Sequence, residues 1–335
     1  MATKTHILTI NNTLPDSITG DIKVSTIEFA NVKDYGALGD GTTDNTTAFN
    51  NAVATGKNVY IPEGTFLITG NVVMQADQGL FGNGNKSIIK ITNNGYNIWA
   101  GQGGWIDSIK FLGDGRDTGK VFQTAIFVYR CSSINITRCT FEAIGGYGVY
   151  LHETIAGIKG RAGVTISNCF AYICNISYFM SNEIGEYNRL VDCVSTGHLY
   201  GVKMSTGNNQ IIGCNISDGY RGLDIGTSSN AGHTSIVNSK FNHNNNANLY
   251  VAGEQNGLTF VGCDFQLGNI ELHNTNSIIF TGCNFYTEAL VLDTSTNIYF
   301  TSSNKRYDTV IINTGSSTYF EKGVLNIYNN TFTSF

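Results

Sequence analysis

Short apolar runs recur along most of this chain at intervals of 20 to 30 residues. Aligning it on Cys139, Cys169, Cys193, Cys214, Cys263 and Cys283 also brings Ser239 and Ser303 into register, with successive spacings of 30, 24, 21, 25, 24, 20 and 20. Three places earlier stands an apolar residue in every copy: Ile136, Ile166, Leu190, Ile211, Ile236, Phe260, Phe280 and Phe300. Two places later, most copies carry a large apolar residue: Phe141, Ile216, Phe241, Phe265 or Phe285.

A second short strand is expected about ten residues after each of these positions. It reads Val149-Tyr150-Leu151, Tyr178-Phe179-Met180, Val202-Lys203-Met204 and Leu223-Asp224-Ile225, then Leu249-Tyr250-Val251, Ile270-Glu271-Leu272, Leu290-Val291-Leu292 and Val310-Ile311-Ile312. The two series drift together, as they must if both belong to one repeating coil. Alternating side chains over three to five residues mark strands, whereas helical repeats would show a 3.6-residue period. One such coil cannot bury its apolar face, but stacked coils share a continuous core. The pattern predicts an all-β chain, a right-handed parallel β-helix of roughly ten coils.

Residues 29–70 break this rhythm. Phe29 to Phe49 reads as strand, tight Gly/Asp loop and helix, with Asp44 as N-cap and Asn45 to Thr47 in the first turn. Ala48, Phe49, Ala52 and Val53 lie at helical spacing, and Gly56 closes the helix. Lys57 to Ile61 and Thr65 to Ile68 read as strands around a Pro62-Glu63-Gly64 turn. Such a helix would cap the solenoid, covering apolar core and an unpaired edge. The expected organisation is an N-terminal extension (1–28), a capping segment (29–70), the parallel β-helix (71–320) and a tail or last coil (321–335).

Composition narrows the function classes. Only 13% of residues are charged, so Asn, Thr, Ser and Gly must supply the polar surface. A net charge of −5 argues against a nucleic-acid partner, which would call for a basic patch. No apolar stretch is long enough for membrane insertion. The first residues lack the pattern of a signal peptide, so folding in a cytoplasm is expected unless a signal has been removed. The eight Cys have no metal-site spacing and are expected to be reduced thiols in the core. No metal and no cofactor is expected.

Chemistry must come from the outward residues of the second strand, one row running coil to coil: Tyr150, Phe179, Lys203, Asp224, Tyr250, Glu271, Val291 and Ile311. The next row carries His152, Ser181, Ser205, Gly226, Ala252, His273 and Asp293. Asp224 and Glu271 are the candidate catalytic pair, two coils or about 10 Å apart. Leaning side chains would bring such a pair to the roughly 6.5–9.5 Å separation of an inverting glycosidase. Lys203, one coil from Asp224, would lower its pKa. In an elimination, Lys203 or Tyr250 would act as base and Arg221 would bind a uronate carboxylate. Tyr150, Tyr250 and His273 complete the candidate sugar-binding set. A second candidate cluster is His152, Glu153, Glu183, Glu186 and His198 in the widest coils, where insertions favour function. Against both stands the plain alternative of a solvated surface, partly covered at Phe179, Val291 and Ile311.

The run Val32-Lys33-Asp34-Tyr35-Gly36-Ala37-Leu38-Gly39-Asp40-Gly41, with Asp44-Asn45-Thr46, Ala48-Phe49 and Tyr60-Ile61-Pro62-Glu63-Gly64-Thr65-Phe66, resembles the N-terminal motif of the pectate-lyase-like β-helix superfamily. That superfamily includes phage tailspikes and polysaccharide-degrading enzymes. The resemblance implies a structural role for Asp40 and Asp44, and a tailspike-like depolymerase of bacterial capsule or O-antigen polysaccharide. It would be a virion-borne homotrimer, with other phage tail proteins as possible partners. A free bacterial polysaccharide lyase or glycosidase of the same fold, and a non-catalytic glycan-binding spike or adhesin, remain open. The Asn-Thr-Asp, Asp-Asp, Gly-His-Gly and Arg-Ile-Lys series of polygalacturonases is missing; Thr196-Gly197-His198-Leu199 is a faint echo. The Asp cluster of a pectate-lyase calcium site is missing too, so calcium is not expected.

Overall fold

This computed structural model describes residues 28–129, 133–152, 163–181, 186–226, 232–253, 255–305, 310–314 and 318–320. Each coil has three strands, as in Gln210–Ile212, Asn215–Ser217 and Arg221–Ile225, before the next begins at Ser235–Val237. The first and second strands stack into two ladders of one 23-stranded sheet, and the third into a separate 11-stranded sheet. Pairing is parallel from coil to coil. The chain is a right-handed parallel β-helix of about ten turns.

The aligned positions meet in space. Ile136 pairs with Ile166, Ile166 with Leu190, Leu190 with Ile211, and the series continues through Ile236, Phe260, Phe280 and Phe300. All eight are buried. The rings form near-parallel stacks: Phe280 lies 4.8 Å from Phe260 and 4.9 Å from Phe300. Phe265 lies 5.4 Å from Phe241 and 5.5 Å from Phe285. Stacking at the inter-strand spacing lets large rings fill the core without strain.

The bend between first and second strands has one cause, repeated. Immediately before each ladder Cys or Ser stands a residue with positive φ: Arg138 (51°), Asn168 (53°), Asp192 (52°), Gly213 (66°), Asn238 (48°) and onward to Ser302 (46°). A single left-handed residue turns the chain sharply, and Asn, Asp and Gly accept that conformation most readily. The next residue points its small side chain inward while its carbonyl continues the ladder. Cys139 O accepts from Phe170 N–H at 2.9 Å, Cys169 O from Val194 N–H at 2.9 Å and Cys214 O from Lys240 N–H at 2.8 Å. The seven described cysteines are buried free thiols; Cys131 lies outside the described residues.

Three expectations need correction. The Gly/Asp segment before the helix contains a strand, Asp40–Asp44, paired with Gly64–Ile68, because this segment already belongs to the stack. The helix is Thr46–Val53, with Asn45 in the N-cap place and its side chain turned to Leu38. Asp44, one residue earlier, still accepts from Thr46 N–H at 3.0 Å and also ties down Thr69 Oγ1 at 2.7 Å. In the last described coil the register is one residue off the expected one: Leu290 pairs with Ile311 and Val291 with Ile312. The buried helix face is the expected one, Ala48, Phe49, Ala52 and Val53. Residues 1–27 and 321–335 lie outside the described residues.

Candidate functional site

The outward row of the third ladder is a physical row. Tyr150 pairs with Phe179, Phe179 with Lys203, Lys203 with Asp224, Asp224 with Tyr250, Tyr250 with Glu271 and Glu271 with Val291. Upstream it continues through Phe127 and Trp99, which the repeat alignment did not reach. The face therefore has two halves, aromatic in the early coils and charged in the later ones.

In the aromatic half the rings stack on one another. Tyr96 lies 4.0 Å from Phe127, Tyr150 5.0 Å from Phe179 and Tyr147 5.6 Å from Phe179, all nearly parallel. Stacking along the solenoid makes these rings one another's partners and stiffens the face. Tyr150 Oη and His152 Nδ1 are 3.2 Å apart.

The charged half holds two constellations. Arg221 bonds Asp224 through Nη1 at 2.5 Å and Asn246 through Nε at 2.7 Å, and its guanidinium carbon lies over the Tyr250 ring, 3.5 Å from the centroid. Asp224 is only 3% exposed. Its ionic partner is thus Arg221 and not Lys203, whose ammonium sits over Tyr200 at 4.9 Å and Phe179 at 5.9 Å. Burial also pushes the Tyr200 phenol above its ordinary range. One coil past Tyr250, His273 stands between two carboxylates, with Nε2 3.5 Å from Glu271 and Nδ1 3.4 Å from Asp293. Its ring is 5.4 Å from Tyr250. Glu271, His273 and Asp293 all reach solvent. Among the described residues no His/Cys/Asp/Glu group is arranged to hold a metal ion.

Of the second candidate cluster, the described members His152, Glu186 and His198 stand on different strands or connections. Glu153 and Glu183 lie outside the described residues. His152 ends its third-ladder strand and Glu186 precedes the strand Arg189–Val191. His198 lies at the opposite edge, before the strand Tyr200–Met204, and is fully buried. Its Nδ1 faces Ser195 Oγ at 2.8 Å, which meets Ser177 Oγ at 2.6 Å, and its Nε2 faces Asn244 Oδ1 at 3.1 Å. Asn244 Oδ1 also accepts from Gly219 N–H at 3.1 Å, which makes it an acceptor and His198 Nε2 a donor. Burial pushes the imidazole down to about 4. His198 is a neutral link in an interior polar chain. The signal for it was Ser195, a polar residue in the register where other coils place Phe141, Ile216 or Phe241.

Above His198 lies a feature the repeat did not predict, a cleft of about 710 Å³ at the corner between the second and third ladders. Its walls include Arg116 and Asp117 from the long connection after Leu112, and Tyr172, Asn175, Asp218 and Tyr220 from later coils. The only hint in the sequence was the length of residues 113–123, where later corners need a few residues.

The right-handed parallel β-helix with its N-terminal helix has the architecture of the pectate-lyase-like class. Residues 29–247 match the family described as rhamnogalacturonase A/epimerase, pectate lyase-like, and the chain belongs to that family. It is 29% identical over 208 residues to a glucan 1,3-beta-glucosidase of Cochliobolus carbonum, covering 54% of this chain and 24% of that protein. It is 40% identical over 58 residues to the pre-neck appendage protein of Bacillus phage phi29, covering 17% of this chain and 7% of that protein. The chain thus spans a quarter or less of the length of these curated relatives. Among solved structures, the A-module of mannuronan C-5 epimerase AlgE6 from Azotobacter vinelandii superposes with a TM-score of 0.65 at 15% identity, over 91% of this chain and 98% of that one. The N-terminal fragment of bacteriophage phi29 gene product 12 superposes with a TM-score of 0.66 at 15% identity, over 90% and 64%. These two likenesses establish the shared fold. No helix among the described residues is long and apolar enough to cross a membrane.

Proposed function

We propose that the chain binds an extended bacterial surface polysaccharide, capsule or O-antigen, along its third face and cleaves it there, as a virion-borne, tailspike-like depolymerase. The observation that carries this reading is the charged half of the face. Three successive coils present Arg221 with Asp224, then Tyr250, then Glu271 with His273, and Asp293 follows one coil on. Coils roughly 4.8 Å apart offer a straight rail on which a linear glycan can lie across several of them. The glucosidase and phage-appendage relatives support a glycan substrate and a virion setting.

Roles follow from exposure. Asp224 is buried under Arg221, so it positions that guanidinium on Tyr250 and does not itself meet substrate. Glu271, His273 and Asp293 are open and linked, and so are placed to move a proton. In a hydrolysis one group protonates the leaving glycosidic oxygen while another takes a proton from the attacking water. In an elimination the base removes the proton beside a uronate carboxylate, a C=C bond forms and the glycosidic C–O bond breaks, with Arg221 or Lys203 steadying the carboxylate.

The test is incubation of purified protein with a panel of capsular and O-antigen polysaccharides, with product masses read out. Hydrolysis adds a water across the fragments; elimination adds none and leaves an ultraviolet-absorbing double bond. Cleavage is expected, and Glu271→Gln or His273→Asn should slow it by about 10²–10⁴-fold. Full activity in both variants would remove the site from this face. Binding without cleavage of any glycan would leave the non-catalytic spike as the function. A homotrimer is part of the proposal, and light scattering on the 36.3 kDa chain reads it directly.

A further inference from the structure

The corner cleft is a built feature. The connection from Leu112 to Thr124 leaves the coil, is pinned by Gly113 N–H to Glu142 O at 2.9 Å and Gly115 N–H to Ala143 O at 2.7 Å, and then reaches across the corner. There Arg116 Nη1 donates to Gly197 O at 3.0 Å, a contact between residues 81 positions apart. Gly219 packs directly against the buried His198 ring. A Cβ on Gly219 would stand 2.2 Å from the His198 ring. The cleft's size falls within the roughly 300–1,000 Å³ of small-molecule sites.

Its lining differs from the third face. Tyr172 and Tyr220 are 42% and 43% exposed, and their neighbouring rings, Phe170 and Tyr200, are each 6.5 Å away. Arg221 lies over the Tyr220 ring at 5.9 Å, and both tyrosines keep accessible surface for a ligand to contact. Asn175 also lines the cleft, and among the described residues its Oδ1 is buried without a hydrogen-bond partner. Asp117 is open to solvent, and Asp218 accepts from Thr196 Oγ1 at 3.4 Å. Two carboxylates face one guanidinium, and that guanidinium is engaged by Gly197 O and Asp117. The balance repels anions and suits adjacent hydroxyl groups, which a carboxylate accepts in pairs.

We propose that this cleft is a second carbohydrate site, one that takes a single neutral pyranose unit of the glycan beside the third face. The sugar ring lies against Tyr172 or Tyr220, and its hydroxyls meet Asp117, Asp218 and the Asn175 carboxamide. The proposal rests on the chain being a glycan-binding protein, but not on cleavage.

The experiment is ¹⁹F NMR on protein labelled with 3-fluorotyrosine, with the two resonances assigned through Tyr172→Phe and Tyr220→Phe. Probes are the methyl glycosides of glucose, galactose, mannose, rhamnose and N-acetylglucosamine, with the methyl glycoside of galacturonic acid, its carboxylate free, as the acidic comparison. At least one neutral glycoside should shift the Tyr172 or the Tyr220 resonance saturably, and the galacturonic acid glycoside should shift neither. Asp218→Asn should weaken that binding at least about tenfold, the loss of one charge-assisted pair. Asn tolerates the left-handed backbone at 218 (φ 57°), so the variant is expected to fold. Shifts from no neutral glycoside, or equal binding of the galacturonic acid glycoside, overturn the proposal. Glycoside binding without polysaccharide cleavage would instead sink the depolymerase reading and leave the cleft standing.

Discussion

Replacing His198 should change how the stability of the solenoid depends on pH. The imidazole is fully buried and its pKa lies at about 4, against an ordinary 6.5, chiefly because burial disfavours the charged ring. The polar neighbours are Ser195 and Asn244, with Asp218 and Arg116 as the charged groups that act on it in opposite senses. The folded pKa is depressed, so below pH 6.5 the unfolded chain binds a proton that the folded chain refuses. Stability from this residue is complete above about pH 6.5 and is lost as pH falls toward 4. At about 1.36 kcal/mol per pH unit, the loss at pH 4.5 is about 2.5 kcal/mol relative to pH 7.5. His198→Gln keeps an amide able to face Asn244 but does not titrate. Equilibrium urea unfolding, followed by the fluorescence of Trp99 and Trp105, compares the two proteins at both pH values. Other titrating groups contribute equally to both, so the difference between the two pH dependences isolates His198. Equal pH dependence, within about 0.5 kcal/mol, would mean that the ring is already charged or hydrated in the folded chain.

Phe280→Ala removes the middle ring of the Phe260–Phe280–Phe300 stack and should cost about 3–5 kcal/mol in the same unfolding assay, with Phe280→Leu recovering most of it. Arg221→Ala strands the buried Asp224 carboxylate and should destabilise by about 3 kcal/mol, whereas Arg221→Ala with Asp224→Ala should be milder than the single change. Thiol titration of the native protein should detect at most one of the eight cysteines, because the seven described ones are buried and burial pushes Cys174, for example, up to about 12. Rapid labelling of two or more would show that the ladder opens.

The repeat alone determined the architecture. A strand alternates its side chains with period two, so an apolar residue three places before each ladder Cys could only point into the core, and Ile136 to Phe300 do so. The same periodicity gave the outward row from Tyr150 to Val291. The register slipped at Ile311 because Val310-Ile311-Ile312 offers three apolar residues and no polar one to break the tie. Exposure and partnership were decided by tertiary structure. Arg221 and Asp224 are three residues apart on one strand, yet whether Asp224 meets Lys203 from the neighbouring coil or Arg221 from its own depends on side-chain reach and on the Tyr250 ring beneath the guanidinium. His198, grouped from the sequence with the second candidate cluster, is interior, because its side chain follows the left-handed residue Gly197 and turns inward as Cys174 and Asn244 do at the same corner. The cleft came from the connection at residues 113–123 folding back over coils up to 81 positions away, a contact that no local pattern encodes.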